Sequence, residues 1–325
     1  MNEFKKILYV CEEAASQDAS ILRAVSLAEN NQAELTVIDV VPAVSEGFRM
    51  RFGGRTSNDP VASMVDASRK RIEALIEPYA ERLKIRVDVL VGRTYLEAIR
   101  VVLENGHDLL IKPAENPGYI ERIFGSQDMQ LLRNCPCPVW LTRADEAPKC
   151  RNILAAVDLD PDRPDPVEES LNRQILGLAG SLAFSDFATL HVVHVWDAPG
   201  ESMVRLWAND PAVASSDYVE GVRSSHASAF NLLRQELKAR IGEDASAFLS
   251  PEFHLRRGVA ASVIPELAKH VQADLVVMGT VARTGIAGLL IGNTAEGVFE
   301  QLQCSVLAAK PAGFVSPVKL EQAGT

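Results

Sequence analysis

The chain has 325 residues, with 33 Lys and Arg against 43 Asp and Glu, a formal net charge of −10 and a sequence pI near 5.2. That balance leaves no chain-wide basic footprint for nucleic acid and no attraction to an anionic lipid surface, so neither partner is expected. A hydrophobic fraction of 47% and a charged fraction of 23% exclude disordered and collagen-like chains, and at roughly 100–200 residues per domain the length suggests two domains.

The N-terminus carries an apolar stretch from Ile7 to Cys11, followed by Glu12 and Glu13. A secretory core needs about 7–15 apolar residues, so this stretch reads as a buried strand. No apolar run approaches the roughly 18 residues that span a bilayer. Five cysteines, an odd and sparse number, fit reduced thiols and a cytoplasmic location. Further along, Ile21, Val25 and Ala28 mark a helix, and residues 33–40 a second strand. Residues 42–58 and 197–218 follow the second strand of each half and carry Phe48, Met50, Phe52, Met203, Leu206 and Trp207. They are expected to cap the core or pad the interface between halves; the alternative is a lid over an apolar metabolite. Residues 59–83 have helical spacing with a kink at Pro78, and Ile99, Val102 and Leu103 mark the next helix. The strands at 7–11, 109–111 and 275–278 are almost continuously apolar, as in parallel sheets buried on both faces.

Four pairs of segments echo one another. Residues 5–10 resemble 151–157, 33–40 resemble 188–195, 107–111 resemble 273–277, and 137–141 resemble 304–308, at separations of 146, 155, 166 and 167 residues. The rising offsets describe one domain copied in tandem, the second copy carrying extra loop residues. The linker lies near 143–149, which gives domains at 1–147 and 148–312 and a tail at 313–325. Strand and helix alternation gives a doubly wound α/β domain twice over, on two separate sheets; a single (β/α)₈ barrel is the minor alternative.

Ligands of such sheets bind beyond the carboxyl ends of the strands. In the second repeat, strand 273–278 ends in Met278-Gly279-Thr280, and Gly292-Asn293-Thr294-Ala295-Glu296 opens a helix. Glycines at 279, 285, 288 and 292 would let a ligand approach the backbone, and Arg283 could contact a phosphate. Asn293 with Glu296 reads as a capping box at a helix start suited to anions. Asp158, after strand 152–157, could accept hydrogen bonds from a base or ribose. The competing reading is that these glycines only shape turns.

Other chemistry is sparse. His191 and His194, three apart on a strand, point to opposite faces, and no metal site is expected; His107, His226, His254 and His270 have no partner at ligand spacing. Cys135 and Cys137 share a face around Pro136 but lack a second ligand pair, so structural thiols are expected. Cys11 has only Glu12 and Glu13 nearby, which disfavours a thiolate. No nucleophile elbow, Walker loop or zincin motif occurs, and no catalytic residue is expected.

The region around Gly279 and Gly292 resembles the universal stress protein family. Its nucleotide-binding members carry Gly, two residues, Gly, nine residues, Gly, then Ser or Thr. Gly279 takes the first position and Gly292 the third, while Ala282 and Asn293 stand at the second and last, with Thr294 following. Asp158 matches the family's base-binding aspartate. The resemblance covers about residues 4–143 and 150–311 and is greatest to tandem-domain members. It implies a five-stranded parallel sheet of order 3-2-1-4-5 per domain (Rossmann-like). It implies an intramolecular pseudo-dimer through the last strands and a non-enzymatic cytoplasmic role in starvation or DNA-damaging stress. A small ligand, with ATP as the candidate, would sit on Asp158, Gly279, Ala282, Arg283, Gly292, Asn293 and Thr294; a slow ATPase switch is the alternative. Ala282 adds a methyl group where phosphate should approach. Repeat one departs further: its counterparts are Glu12, Lys112, Glu115, Gly125 and Ser126, where Glu115 would repel phosphate and Ser126 serves as a helix start.

Overall fold

A computed structural model describes residues 4–12, 17–43, 60–115, 126–143, 146–242, 249–280 and 292–320. The first repeat runs β1 (Lys6–Val10), α1 (Asp18–Asn31), β2 (Glu34–Val41), α2 (Pro60–Ile76), β3 (Ile85–Val91), α3 (Thr94–Asn105), β4 (Leu109–Pro113), α4 (Ser126–Asn134) and β5 (Val139–Thr142). The second runs β6 (Asn152–Val157), α5 (Pro166–Asp186), β7 (Thr189–Trp196), α6 (Glu201–Trp207), α7 (Pro211–Ile241), β8 (Glu252–Arg257), α8 (Ala260–His270), β9 (Leu275–Gly279), α9 (Asn293–Phe299) and β10 (Ser305–Ala309).

The strand order is β3-β2-β1-β4-β5-β10-β9-β6-β7-β8, so each half has the order 3-2-1-4-5. Each half keeps the expected five parallel strands; the expectation that the two sheets are separate, and the barrel alternative, are corrected here. β5 and β10 pair antiparallel, with Leu307 opposite Trp140, and fuse the halves into one ten-stranded mixed sheet. A last strand of Val-Trp-Leu would otherwise present unpaired N–H and C=O groups as a sticky edge. Pairing it with its own copy satisfies those groups.

One apolar layer covers each face. Ile21 of α1, Ile72 of α2, Ile175 of α5 and Phe230 of α7 pack on one side, while Ile99 of α3, Leu131 of α4, Ile264 of α8 and Val298 of α9 pack on the other. Trp140 and Leu307 carry the first layer across the junction. Local chemistry sets the helix limits. Asp165 accepts from the Val167 N–H at 2.9 Å and Pro166 opens α5, while Gly106 closes α3 at φ +67°, where a side chain would be strained. The α-helix over 60–76 stops before Pro78, which falls in a 3₁₀ turn at Glu77–Tyr79 rather than kinking one longer helix.

Ala147, Pro148 and Lys149 of the linker are exposed, whereas the Glu146 side chain turns inward. Glu146 is buried and pairs with Arg23 of α1 at 3.0 Å. Arg23 also reaches Asp186 of α5 at 3.0 Å and the Ala147 carbonyl at 3.2 Å, with its guanidinium 4.9 Å from the Trp140 ring centre. One arginine therefore ties repeat one, the linker and repeat two together.

Candidate functional site

The carboxyl ends of β1 and β4 in repeat one are filled by the chain's own charges. Lys112, at the end of β4, is fully buried, and its Nζ lies 2.8 Å from Glu12 Oε2, 2.9 Å from Asp128 Oδ1 and 2.9 Å from the Pro113 carbonyl. Burial alone would depress the lysine, but Asp128 and Glu12 outweigh it and hold its pKa above the ordinary value. Glu115 closes the network. Its N–H donates to Asp128 Oδ2 at 2.7 Å and its carboxylate accepts from the Gln127 N–H at 3.2 Å. Burial, then the Asp128 charge, push the Glu115 pKa up. Ser126 is the first residue of α4; Gly125 lies outside the described residues. The end of β4 thus holds a lysine with three protein oxygens around it. Asp128 was missed from the sequence, since its role depends on α4 folding back over β4.

Repeat two is open. Asp158 stands exposed after β6, its main chain locked by Asn172: Asp158 N–H donates to Asn172 Oδ1 at 3.1 Å and Asn172 Nδ2 donates to the Asp158 carbonyl at 2.6 Å. It lines a cavity of about 670 Å³ between the 158–165 turn, the start of α5 and α7, a volume suited to a small molecule. Among the described residues its walls are acidic and apolar: Asp160, Asp165, Glu168, Glu169 and Glu236 face Leu232, Leu233 and Pro161.

Gly279 ends β9, but a Cβ there would meet Leu171 Cδ2 at 2.7 Å, so the missing side chain makes room for a leucine of α5. The Gly292 N–H donates to the Thr280 carbonyl at 2.9 Å, which closes the base of the intervening loop. The capping box expected at Asn293 is corrected: Gly292 takes the cap position, Asn293 and Thr294 are the first helical residues, and the Glu296 carboxylate pairs with Arg133 of repeat one. Glu296 is drawn across the junction because α4 and α9 meet there. Ala282 and Arg283 lie outside the described residues.

The segment at 197–218 is corrected too. Met203, Leu206 and Trp207 of α6 are 63%, 80% and 83% exposed and neither cap the core nor pad the junction. Glu201 anchors α6 to Ser215 of α7 and Arg257 of β8, and no residue of 197–218 lines the cavity. Of 42–58, only residues 42 and 43 are described.

Two histidine pairs escaped the reading of spacing. His191 and His194 do face opposite sides, but His194 Nε2 lies 2.8 Å from His226 Nδ1, and His191 Nδ1 lies 3.1 Å from His254 Nε2. Glu252 Oε2, across the strand pair, is 3.4 Å from the first and 4.0 Å from the second of the latter two nitrogens. A tetrahedral ion with bonds of about 2.0–2.1 Å needs donors about 3.3 Å apart, so this trio could hold a divalent metal. Burial pushes both imidazoles down and keeps them in the neutral, ligating form. All five cysteines are buried thiols, and burial pushes Cys11 up to about 12.

Sequence comparison decides the family. Residues 3–143 and 149–310 each match the universal stress protein family. The chain belongs to that family. The similarity extends to universal stress protein E of Escherichia coli K12, 35% identical over 71% of this chain and 69% of that one. The universal stress protein E homolog of Haemophilus influenzae is 29% identical over 95% of this chain and 98% of its own. A functionally unknown protein of Pseudomonas aeruginosa, PA1789, superposes with a TM-score of 0.64 at 25% identity, covering 95% of this chain and 94% of that one. Among the described residues no helix is long and apolar enough to cross a membrane. Membership in the universal stress protein family supports a role in the stress response.

Proposed function

We propose that this is a non-enzymatic, cytoplasmic stress protein that binds a small molecule in its second repeat alone. The asymmetry of the strand ends carries the reading: Lys112 and its carboxylates fill repeat one, whereas Asp158 of repeat two borders an open cavity. The acidic wall supports a neutral or cationic ligand with an apolar body over a nucleotide polyphosphate. Ser225 and Ser228 at the cavity donate to the Gly221 and Ser224 carbonyls of their own helix, at 3.2 and 2.9 Å, and not to a carboxylate, which supports binding without turnover. The role in starvation or DNA-damaging stress follows from kinship and is tested by survival of cells lacking the protein.

Native mass spectrometry of the purified chain tests the binding reading. A co-purifying molecule should be present and should be lost from Leu232→Trp, which fills the cavity. A second reading, an ATP switch, rests on Gly279 and Gly292 standing at the family's glycine positions. Calorimetric titration with Mg-ATP separates them: micromolar affinity abolished by Gly292→Val and indifferent to Leu232→Trp would overturn the first reading.

A further inference from the structure

The turn from α4 to β5 reads Cys135-Pro136-Cys137, and the two Sγ atoms lie 3.5 Å apart in a sulfur–sulfur hydrogen-bond contact. Repeat two has Leu302 and Cys304 at the matching positions, so the paired thiols are peculiar to repeat one. Cys135 is held by its N–H donating to the Leu131 carbonyl at 3.0 Å. Lys310 reaches this point from the end of β10. Its Nζ is buried, donating to the Leu132 carbonyl at 2.6 Å and the Arg133 carbonyl at 3.1 Å, with the Phe314 ring 4.7 Å away. Among the described residues no carboxylate pairs with it, and Cys135 is the group whose charge would stabilise the ammonium. Burial pushes Lys310 down to about 8, so part of it is a free amine near neutral pH. The hydrogen bond shared with Cys135, then burial, push the Cys137 thiol up, so a thiolate needs a nearby proton acceptor.

We propose that Cys135 and Cys137 form a redox dithiol, oxidised by a small hydroperoxide to an intramolecular disulfide with Lys310 as proton acceptor. Cys137 is the more exposed, at 7% against 0%, and so meets the oxidant first. Lys310 takes the proton of Cys135, Cys137 passes its own to Cys135 across the 3.5 Å sulfur contact, and the Cys137 thiolate attacks the nearer peroxide oxygen. The O–O bond breaks, and the departing hydroxide recovers the proton held by Lys310 as water, leaving a sulfenic acid. Cys135 sulfur then attacks the sulfenic sulfur; the S–O bond breaks, and the hydroxide leaves with the Cys135 proton as a second water. In sum, two thiols and one hydrogen peroxide give a disulfide and two waters, the dithiol losing two electrons and the peroxide gaining them. Closing the sulfurs to about 2.05 Å moves Cys135 at the end of α4. Lys310 clamps that same helix end from the other repeat, so the oxidation acts where the halves meet.

The test treats the full chain with hydrogen peroxide, alkylates free thiols under denaturing conditions and digests it with trypsin. The peptide 134–143 holds both cysteines and no other. The expected product is this peptide two hydrogens lighter and unalkylated, reverting with a reductant, and forming several-fold more slowly in Lys310→Met. In Cys137→Ser the disulfide mass should vanish without loss of the folded circular-dichroism spectrum. Doubly alkylated peptide after a peroxide exposure that oxidises free cysteine, or a disulfide joining either thiol to Cys11, Cys150 or Cys304, would overturn the proposal. Equal rates in Lys310→Met and the parent chain would remove Lys310 from it.

Discussion

Lys112 Nζ stands 2.9 Å from Asp128 Oδ1 with both side chains wholly shielded from solvent. A carboxylate in that position tolerates its charge only because the ammonium is there. Lys112→Met should therefore cost about 3–5 kcal/mol, the usual penalty for orphaning a buried charge. The double variant with Asp128→Asn should recover most of the loss, because removing both charges of a buried pair is often close to neutral. Glu12→Gln should cost less, since that side chain is 18% exposed. Urea midpoints at constant slope measure all three; a single-variant loss below about 1 kcal/mol would show that the cluster is not holding the strand ends.

Gly279 separates the two accounts of the family glycines. With a Cβ only 2.7 Å from Leu171 Cδ2, Gly279→Ala should push that half-buried side chain aside and cost up to about 1 kcal/mol. In a double-mutant cycle, the cost of alanine at 279 should largely vanish in a Leu171→Ala background. If the glycine instead served a phosphate, the alanine would leave stability intact and weaken nucleotide binding, and Leu171→Ala would rescue nothing.

The alternation of apolar runs and helical spacing made the two α/β halves legible, because burial on both faces leaves a continuous signature in β1, β4 and β9. The joining of the last strands came only with the family resemblance, not from the residues themselves. Val139-Trp140-Leu141 looks like any buried strand, and an antiparallel partner 167 residues away leaves no local trace. The same holds for the sites. Lys112 and Glu115 were visible as departures from a glycine pattern, but Asp128 and Arg23 owe their roles to contacts across helices. His254 joins His191 only through the pairing of β7 with β8. Spacing along the chain finds ligands within one element and is blind to those brought together by neighbouring strands.

Arg23 offers the sharpest handle on how the repeats communicate. It is 4% exposed and meets Glu146 and Asp186, each at 3.0 Å, so Arg23→Ala leaves two shielded carboxylates facing one another. The expected loss is about 3–5 kcal/mol. Because the contacts bridge repeat one, the linker and repeat two, the calorimetric melt should also lose cooperativity and split into two transitions. Arg23→Lys should restore little, since an ammonium lacks the planar fork that meets Glu146 through Nε and Asp186 through Nη1 while lying over the Trp140 ring. A single sharp transition in Arg23→Ala at nearly the parent temperature would show that β5 and β10 alone couple the halves.

Lys310 predicts a pH dependence whose sign follows from its burial. Its folded pKa lies near 8 against 10.5 for a free lysine, so above pH 8 the unfolded chain holds a proton that the folded one has released. Stability from this residue therefore rises as pH increases from about 8 to 10.5, by up to about 3 kcal/mol, at roughly 1.4 kcal/mol per unit of pKa. Below pH 8 both states are protonated and the cost of burying the ammonium is constant. Tyr9 opposes the trend in the parent chain, because burial pushes its phenol up and folding then resists its ionisation at alkaline pH. The difference between the parent and Lys310→Met isolates the lysine, since Tyr9 is common to both. Relative to the parent, the methionine variant should look about 3 kcal/mol better at pH 7 than at pH 10.5. Urea denaturation across that range measures it, and a flat difference would mean that the ammonium is as well solvated in the fold as in water.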